Sequence, residues 1–297
     1  MFYFKSISEF QKAFSTENKC EKFLIKQRWS DGKIRCPYCN SLKNCKTNEK
    51  RYKCGECKVS FTLKVGTIFE GSKISLVNWF LAIYFLTSNS KGISSLQLAE
   101  KLSVTQKTAW FMLQRLRFLT ENNFNNDTFK GTVEVDETYV GGKEENKHKH
   151  KKFTKQKDIV IGIVNRETKT VKSQKVASSK YYDLAEQIMN NVEMGSNVIT
   201  DELSSYRMLK LYYKHDKINH SVKEYVRENI HTNTIEGFFS LLKRTINGTY
   251  HFVSSKHINK YLSEINYRYN NKIGSCGKFV IFTNNLVGRL KYKDLIA

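Results

Sequence analysis

The chain has 297 residues, 40% of them hydrophobic and 13% aromatic, so it can form more than one packed domain and is not a disordered protein. Its 50 Lys and Arg residues against 28 Asp and Glu give a formal charge of +22, which favours a nucleic acid partner over a merely Lys-rich surface. The N-terminus lacks the apolar core of a signal peptide and no segment approaches the ~18 apolar residues of a membrane span, so we expect an intracellular protein without a membrane partner.

Residues 1 to about 30 have the pattern of an amphipathic helical lead. Phe10, Phe14, Phe23 and Leu24 supply its apolar faces. We assign no chemistry to this segment. It precedes a cysteine-rich stretch, in which five of the seven cysteines lie between positions 36 and 57. An odd cysteine number, concentrated in this way, suits a metal site in a reducing compartment better than a disulfide framework.

Two Cys-x-x-Cys pairs in this stretch predict a structural zinc site. The pairs are Cys36 with Cys39 and Cys54 with Cys57, separated by 14 residues. Four thiolates at this spacing close a tetrahedral Zn²⁺ site, which we prefer to buried or redox-active thiols. Gly55 would ease the tight turn of the second pair. A closed site has no position for a substrate, so this zinc would organise a module and not catalyse. Cys20 and Cys45 remain as ordinary thiols.

The next region predicts a helix-turn-helix. Residues 74–86 are rich in apolar side chains and fit a buried helix. Further on, one helix closes near Leu102, and Thr105 caps a second helix whose Ala109, Met112 and Leu116 face inward. Gln106 and Lys107 would then begin the second helix, where contacts to bases or phosphates are made. The alternative is a plain helical hairpin, a pattern that also arises by chance.

From position 131 the pattern changes to strands. VEVDETYV predicts the first strand, DIVIGIVNRETKTV and KSQKVAS the second and third, residues 181–191 a helix, and SNVITDE a fourth strand. Three antiparallel strands, a helical crossover and a further strand form an RNase-H-like mixed sheet. The loop after the first strand is rich in lysine, including Lys149, Lys151 and Lys152. It is either a solvated flexible loop or a contact to the DNA backbone, and these are compatible.

Asp136 lies in the middle of the first of these strands. Alternation places Glu134 and Asp136 on one face and Glu137 on the other. A carboxylate there is costly to bury unless it is paired or bound to a metal, although Glu134 and Glu137 are local competitors for such a role. Asp201 ends the fourth strand, where it could instead serve as a turn residue or a helix N-cap.

Glu236 lies at the start of an amphipathic helix with the sequence TNTIEGFFSLLKR. One interpretation is a capping box from Asn233 to Glu236. In the other, Glu236 points along the sheet edge while Lys243 and Arg244, on the polar side, point towards phosphates. Together with the two aspartates it forms a set of hard oxygen ligands that can hold a pair of Mg²⁺ ions, the arrangement used in phosphoryl transfer. The second and third acids are separated by 34 intervening residues.

At five segments the chain resembles the DDE transposases of bacterial insertion sequences that carry a zinc ribbon, which are related to the eukaryotic Merlin transposons. The segments are CPYC, CGEC, VEVDETYVGGK, VITDELSSY and the run from IHTNTIEGFF to INYRYN, within residues 25–272. The resemblance implies an RNase-H-like fold, two catalytic Mg²⁺ ions and the triad Asp136, Asp201 and Glu236. It also implies that His231 and Asn233 lie beside the third acid. The implied partners are double-stranded DNA, as transposon ends and target, and further copies of the chain in a homodimer or higher oligomer on DNA.

We therefore expect an α+β multidomain enzyme that cleaves DNA and joins the freed 3′ hydroxyl to target DNA. Its predicted parts are a helical lead and zinc ribbon over 1–70, a DNA-binding helix-turn-helix segment over 71–125, the catalytic domain over 126–275, and a tail over 276–297 that forms a closing helix or an interface. The alternatives are a DNA-binding protein without catalysis and a nuclease of the same fold without strand transfer. The expected location is the cytoplasm, on the nucleoid, in a bacterium, or the nucleus in a eukaryote.

Overall fold

The computed structural model describes residues 4–47, 51–123, 127–141, 157–201, 204–218, 231–286 and 288. The chain forms two compact units, one of Met1–Asn122 with Ile273–Ala297 and one of Asn123–Lys272. This division differs from the four predicted parts, because the ribbon, the helix-turn-helix and the C-terminal segment all belong to the first unit. Across the described part of the chain, none of the helices combines the length and the apolar composition needed to cross a bilayer.

The elements of the described residues are as follows. The helices are α1 (Ile7–Ala13), α2 (Glu17–Arg28), α3 (Leu76–Ser88), α4 (Ser95–Leu102), α5 (Gln106–Asn123), α6 (Tyr181–Asn191), α7 (Asn233–Thr245), α8 (Ile258–Asn270) and α9 (Ser275–Thr283). The strands are β1 (Asn44–Lys46), β2 (Tyr52–Cys54), β3 (Ser60–Phe61), β4 (Thr132–Val140), β5 (Asp158–Asn165), β6 (Thr170–Val176), β7 (Asn197–Thr200) and β8 (Lys214–Lys217). A 3₁₀ helix covers Ser204–Leu211, and a π-helical turn follows α7 over Ile246–Tyr250.

An aromatic cluster forms the core of the first unit. The predicted helical lead is two helices, because Thr16 accepts a hydrogen bond from Lys19 N–H and so starts α2 separately. The ring of Phe14 lies 5.2 Å from that of Phe23 and 5.1 Å from that of Phe80. Phe279 of α9 joins the same cluster, 5.5 Å from Phe14. The predicted tail over 276–297 therefore begins as a helix of this core, since its apolar side chains are buried there; the residues beyond 288 lie outside the described part.

The helix-turn-helix has the predicted geometry. Ser94 starts α4 with a capping box, and Ser103 ends it in the left-handed conformation, at φ 52°. Thr105 Oγ1 then accepts a hydrogen bond from Thr108 N–H at the start of α5. The three side chains predicted to face inward, Ala109, Met112 and Leu116, are buried. The sequence prediction of two capped helices joined by a short turn is confirmed.

The second unit is a five-stranded mixed sheet with the order β6-β5-β4-β7-β8. β5 is antiparallel to both β4 and β6, whereas β7 is parallel to both β4 and β8. Buried residues of α6 pack with one face of the sheet, and those of α7 and α8 pack with the other. This order and direction are those of the RNase-H-like fold, as predicted.

Two details of the sheet differ from the prediction. The second predicted strand is too long, because β5 ends at Asn165 and Lys169 in the following turn has φ 54°. β8 was not predicted, since KHDK has no apolar alternation and lies at the edge of the sheet, where polar residues are tolerated.

Gly162 lets α7 pack directly on the backbone of β5. It lies opposite Asp136 in the pairing of β4 with β5. A Cβ atom at this position would lie 2.5 Å from Ile235 Cδ1 and 2.9 Å from the ring of Phe239. Both of these side chains belong to the first half of α7. The glycine therefore sets how closely the start of α7 approaches the strand that carries Asp136.

We expect Gly162→Ala to destabilise the protein by about 1–3 kcal/mol, because the added methyl group would overpack this contact. Gly237→Ala in α7 is the matched control. A Cβ atom there meets nothing within 4 Å, so the substitution should stabilise by about 0.5–1 kcal/mol through helix propensity. Urea unfolding followed by circular dichroism measures both. Equal shifts of the two midpoints would contradict this account of Gly162.

Candidate metal and DNA-processing site

The four predicted zinc ligands come together in the first unit. The Sγ atoms of Cys36 and Cys57 are 3.6 Å apart and those of Cys39 and Cys54 are 3.5 Å apart. All four lie within 4.8 Å of one another. In a tetrahedral zinc site with Zn–S bonds of 2.3 Å the sulfurs are separated by about 3.8 Å. The cluster therefore has the donor atoms and the spacing that a structural Zn²⁺ ion requires.

The backbone shapes both halves of this cluster. Asn40 and Lys58, each directly after the second cysteine of a pair, adopt left-handed conformations at φ 60° and 62°. Gly55 does not adopt a positive φ, and a Cβ there would lie 3.1 Å from the carbonyl oxygen of Lys43, so close packing in the second pair's turn favours the glycine. Burial opposes ionisation of Cys54, but backbone N–H groups, including that of Glu56, donate to its sulfur and lower its pKa to about 6.

We expect Cys54→Ser to lose the bound zinc, because three thiolates and a hydroxyl close the tetrahedron poorly. Cys45→Ser is the control, since Cys45 is exposed in β1 and its thiol contacts the carbonyl of Lys53. Elemental analysis of the purified variants checks the difference. If both variants lost zinc equally, the ligand set would be wrong.

Three carboxylates form a second cluster in the second unit, beside the middle of the central strand β4 and the C-terminal end of β7. Asp136, Glu137 and Asp201 each offer an oxygen, and these oxygens lie within 4.8 Å of one another. The parallel register pairs Glu134 of β4 with Ile199 of β7. Continued two residues further along both strands, this register brings Asp136 beside Asp201. The predicted proximity of the two aspartates is thus a direct result of strand pairing.

The electrostatics of this cluster disfavour its own negative charge. Burial raises the pKa of Asp136 to about 7, with further contributions from the charges of Asp201, Glu137 and Glu236. Burial also raises the pKa of Glu137, although the hydroxyl of Tyr206 donates a 2.6 Å hydrogen bond to its carboxylate and opposes the change. A cation would relieve this concentration of charge. Hard oxygen donors of this kind fit Mg²⁺.

Glu236 lies in the first turn of α7, close enough for its charge to raise the pKa of Asp136. Its side chain is exposed and accepts a 2.9 Å hydrogen bond from Thr232 Oγ1. Within the described residues, the group of acids that meet within 4.8 Å does not include it. The capping box from Asn233 to Glu236 is absent, because α7 begins at Asn233 with Thr232 as its N-cap, which forms no side-chain cap.

The two local competitors of Asp136 have different surroundings. Glu134 is fully buried and paired with Arg166 at 2.6 Å, so it is not part of the acid cluster. Glu137 is part of it together with Asp136, whereas the sequence offered it only as an alternative to Asp136. The two-residue period of a strand placed Glu137 on the face opposite Asp136, and its hydrogen bond to Tyr206 depends on a residue 69 positions away. The only available signal was the Asp-Glu doublet itself.

The other predicted site residues lie at several places. His231 is half-buried and Asn233 is exposed, both next to the start of α7. Lys243 and Arg244 are exposed in its last turn. In the first unit, Gln106 and Lys107 are exposed at the start of α5, and Gln106 Nε2 donates a 2.8 Å hydrogen bond to Ser95. Lys149, Lys151 and Lys152 lie outside the described residues.

Comparison with known proteins gives matches over both units. Residues 128–270 match the family model of the ISXO2-like transposase domain, and residues 15–60 match that of the transposase zinc-ribbon domain. An uncharacterized protein in transposable element ISH50 of Halobacterium salinarum is 27% identical over 272 residues, which cover 84% of this chain and 90% of that protein. The cysteine cluster lies in the first matched segment along the chain, and the acid cluster lies in the second.

A weak match exists among solved structures. A chain of the simian T-cell lymphotropic virus intasome in complex with PP2A regulatory subunit B56 gamma is 12% identical, with a TM-score of 0.28. The alignment covers 58% of this chain and 63% of that one. A likeness at this level carries no argument about the fold or the function.

Proposed function

This chain belongs to the DDE transposases of insertion sequences that carry a zinc ribbon, and we propose that it binds transposon ends, cleaves DNA and joins the freed 3′ hydroxyl to target DNA. The observation that carries the proposal is the cluster of Asp136, Glu137 and Asp201 on the two central strands of an RNase-H-like sheet, at the C-terminal end of β7. The start of α7 brings Glu236 into electrostatic range of it. An acidic cluster of this composition, held partly buried in a protein with a charge of +22, suits a divalent cation and a polyanionic substrate.

The carboxylates would act as ligands for two Mg²⁺ ions. Asp136, Glu137 and Asp201, whose oxygens lie within 4.8 Å of one another, would hold the ions, and Glu236 would complete the set. Bound there, the ions would supply charge neutralisation at the attacking and leaving oxygens of a phosphodiester. The protein residues hold the ligands in place and need no covalent intermediate, so catalysis depends on positioning.

Basic residues outside the cluster would hold the DNA. Lys243 and Arg244 lie about 10 Å along α7 from Glu236, on the same helix, and are exposed. In the first unit, exposed Gln106 and Lys107 begin the second helix of the helix-turn-helix, the position from which such motifs read DNA. We assign the binding of transposon ends to this unit. Joining two ends to one target requires further copies of the chain, so we propose a homodimer or higher oligomer on DNA.

The substrate is expected wherever the host keeps its DNA. In a bacterium this is the nucleoid in the cytoplasm, and in a eukaryote it is the nucleus. The zinc ribbon would contribute to end binding and would not take part in the chemistry, because its four cysteines leave no open coordination position.

We expect Asp136→Asn to abolish cleavage and joining together while the protein still binds transposon ends. The amide keeps the shape of the side chain but is a weak ligand for a hard cation. The loss should be at least roughly 100-fold, the scale on which losing one charge-stabilising group slows an enzyme. The measurement is cleavage and strand transfer of a labelled transposon-end duplex with Mg²⁺, beside a binding titration. Glu186→Gln, which neutralises an exposed carboxylate of α6, is the control and should have no effect.

The outcomes of this assay separate the alternatives. If Asp136→Asn still cuts at a near wild-type rate, Asp136 is not part of the catalytic site. A wild-type protein that binds ends and never cuts them would be a DNA-binding protein without catalysis. Cleavage without joining would indicate a nuclease of the same fold.

A further inference from the structure

Glu134 uses both oxygens of a fully buried carboxylate. It lies two residues before Asp136 on the same face of β4. Its Oε1 accepts a 2.6 Å hydrogen bond from Arg166 Nε, and its Oε2 accepts a 2.9 Å hydrogen bond from the backbone N–H of Ile235. A buried carboxylate is costly unless such partners satisfy it. Position 134 therefore carries a charged side chain where burying an apolar one would cost less free energy.

The bond to Ile235 caps α7 from the sheet. The N–H groups in the first turn of a helix have no acceptor within the helix. A local N-cap side chain usually accepts from one of them, but Thr232 does not: its backbone, at φ −116° and ψ 16°, is outside the extended conformation of a capping residue, and its hydroxyl donates to Glu236. Glu134 supplies the missing acceptor from β4, and its negative charge also suits the N-terminus of a helix. The start of α7 is thus fixed to the strand that carries Asp136.

Arg166 completes the connection. It directly follows β5, and its backbone N–H donates to the carbonyl of Thr132 at 3.0 Å. Its Nη2 donates to the carbonyl of His231 and lies 2.9 Å from His231 Nδ1. One guanidinium group therefore contacts the buried carboxylate of Glu134 and the segment that leads into α7.

We infer that Glu134 and Arg166 are positioning residues, which hold the first turn of α7 so that Glu236 faces the acid cluster. Ile235, which Glu134 binds, is the residue directly before Glu236. Glu134 and Asp136 are separated by about 7 Å along the strand. The hydrogen bond from Ile235 N–H to Glu134 therefore fixes the distance between Glu236 and Asp136. A displacement of about 1 Å is enough to impair a site that depends on geometry. The inference rests on the proposed function only for the role of Glu236.

The experiment measures local order and metal affinity as well as activity, on the full-length, zinc-loaded chain. The variants are Glu134→Gln, which keeps the shape and removes the charge, and Arg166→Gln, at a partly exposed position that tolerates a polar side chain. The matched control is Asp158→Asn. It breaks an ion pair of the same unit, Lys175 with Asp158 at 3.0 Å, at the opposite end of β5 from Arg166.

We expect hydrogen exchange of residues 231–240 to become faster in both variants and to remain at the wild-type rate in Asp158→Asn. Mn²⁺ affinity, measured by electron paramagnetic resonance, should fall roughly tenfold or more in both, as is usual when a residue that orients a metal ligand is lost. In a Glu236→Gln background, Glu134→Gln should cause no further loss, because the effect passes through Glu236.

Two results would overturn the inference. One is a lower melting temperature in both variants while hydrogen exchange and Mn²⁺ affinity stay unchanged, as expected of the control. That result would mean that Glu134 and Arg166 form an ion pair with a structural role only. The other is an equal loss of Mn²⁺ affinity with and without the Glu236 carboxylate, which would mean that Glu134 acts on the cluster directly. If the wild type binds Mn²⁺ and both variants behave as expected but no DNA is cut, the proposed function fails while the positioning role stands.

Discussion

The acid cluster depends on the parallel pairing of β4 with β7. Strand pairing fixes atoms to within a fraction of an ångström, and here it places Asp136 and Asp201 at the same level of the sheet. Burial, and after it the charge of Asp201, raises the pKa of Asp136 to about 7. Two loops could not hold such a pair together, because they would move apart to separate the charges. The hydrogen bonds of five strands and the apolar contacts on both faces of the sheet oppose that movement.

The third acid is held in a different way. α7 packs on the sheet through Ile235 and Phe239, above a glycine that leaves room for them. Apolar packing sets the distance of a helix from a sheet but specifies its rotation and its axial position less sharply. A directional bond does this better, and the hydrogen bond from Ile235 N–H to Glu134 is such a bond. Exposure of Glu236 then leaves its carboxylate accessible to a metal ion and to DNA.

Features set by short sequence distances could be predicted. The spacing of four cysteines predicted their cluster, capping residues predicted the helix-turn-helix, and alternation predicted the first four strands of the sheet. The two family matches confirm the resemblance from which the triad was inferred. The roles of the individual acids remain proposals. Features set by distant partners could not be predicted, since one sequence does not show which residues meet. The pairing of Glu134 with Arg166, 32 residues away, and the burial of Phe279 among N-terminal phenylalanines are examples.

The central claim is that the second unit gathers residues 136, 201 and 236 around a site for divalent cations. Cleavage of the polypeptide by iron bound at this site tests the claim without DNA. Fe²⁺ takes the place of Mg²⁺ among oxygen ligands, and with ascorbate and peroxide it cuts the polypeptide near where it is bound. The account predicts fragments ending near positions 136, 201 and 236 that disappear when excess Mg²⁺ is added. Fragments at other positions only, or cuts that Mg²⁺ does not suppress, would contradict it.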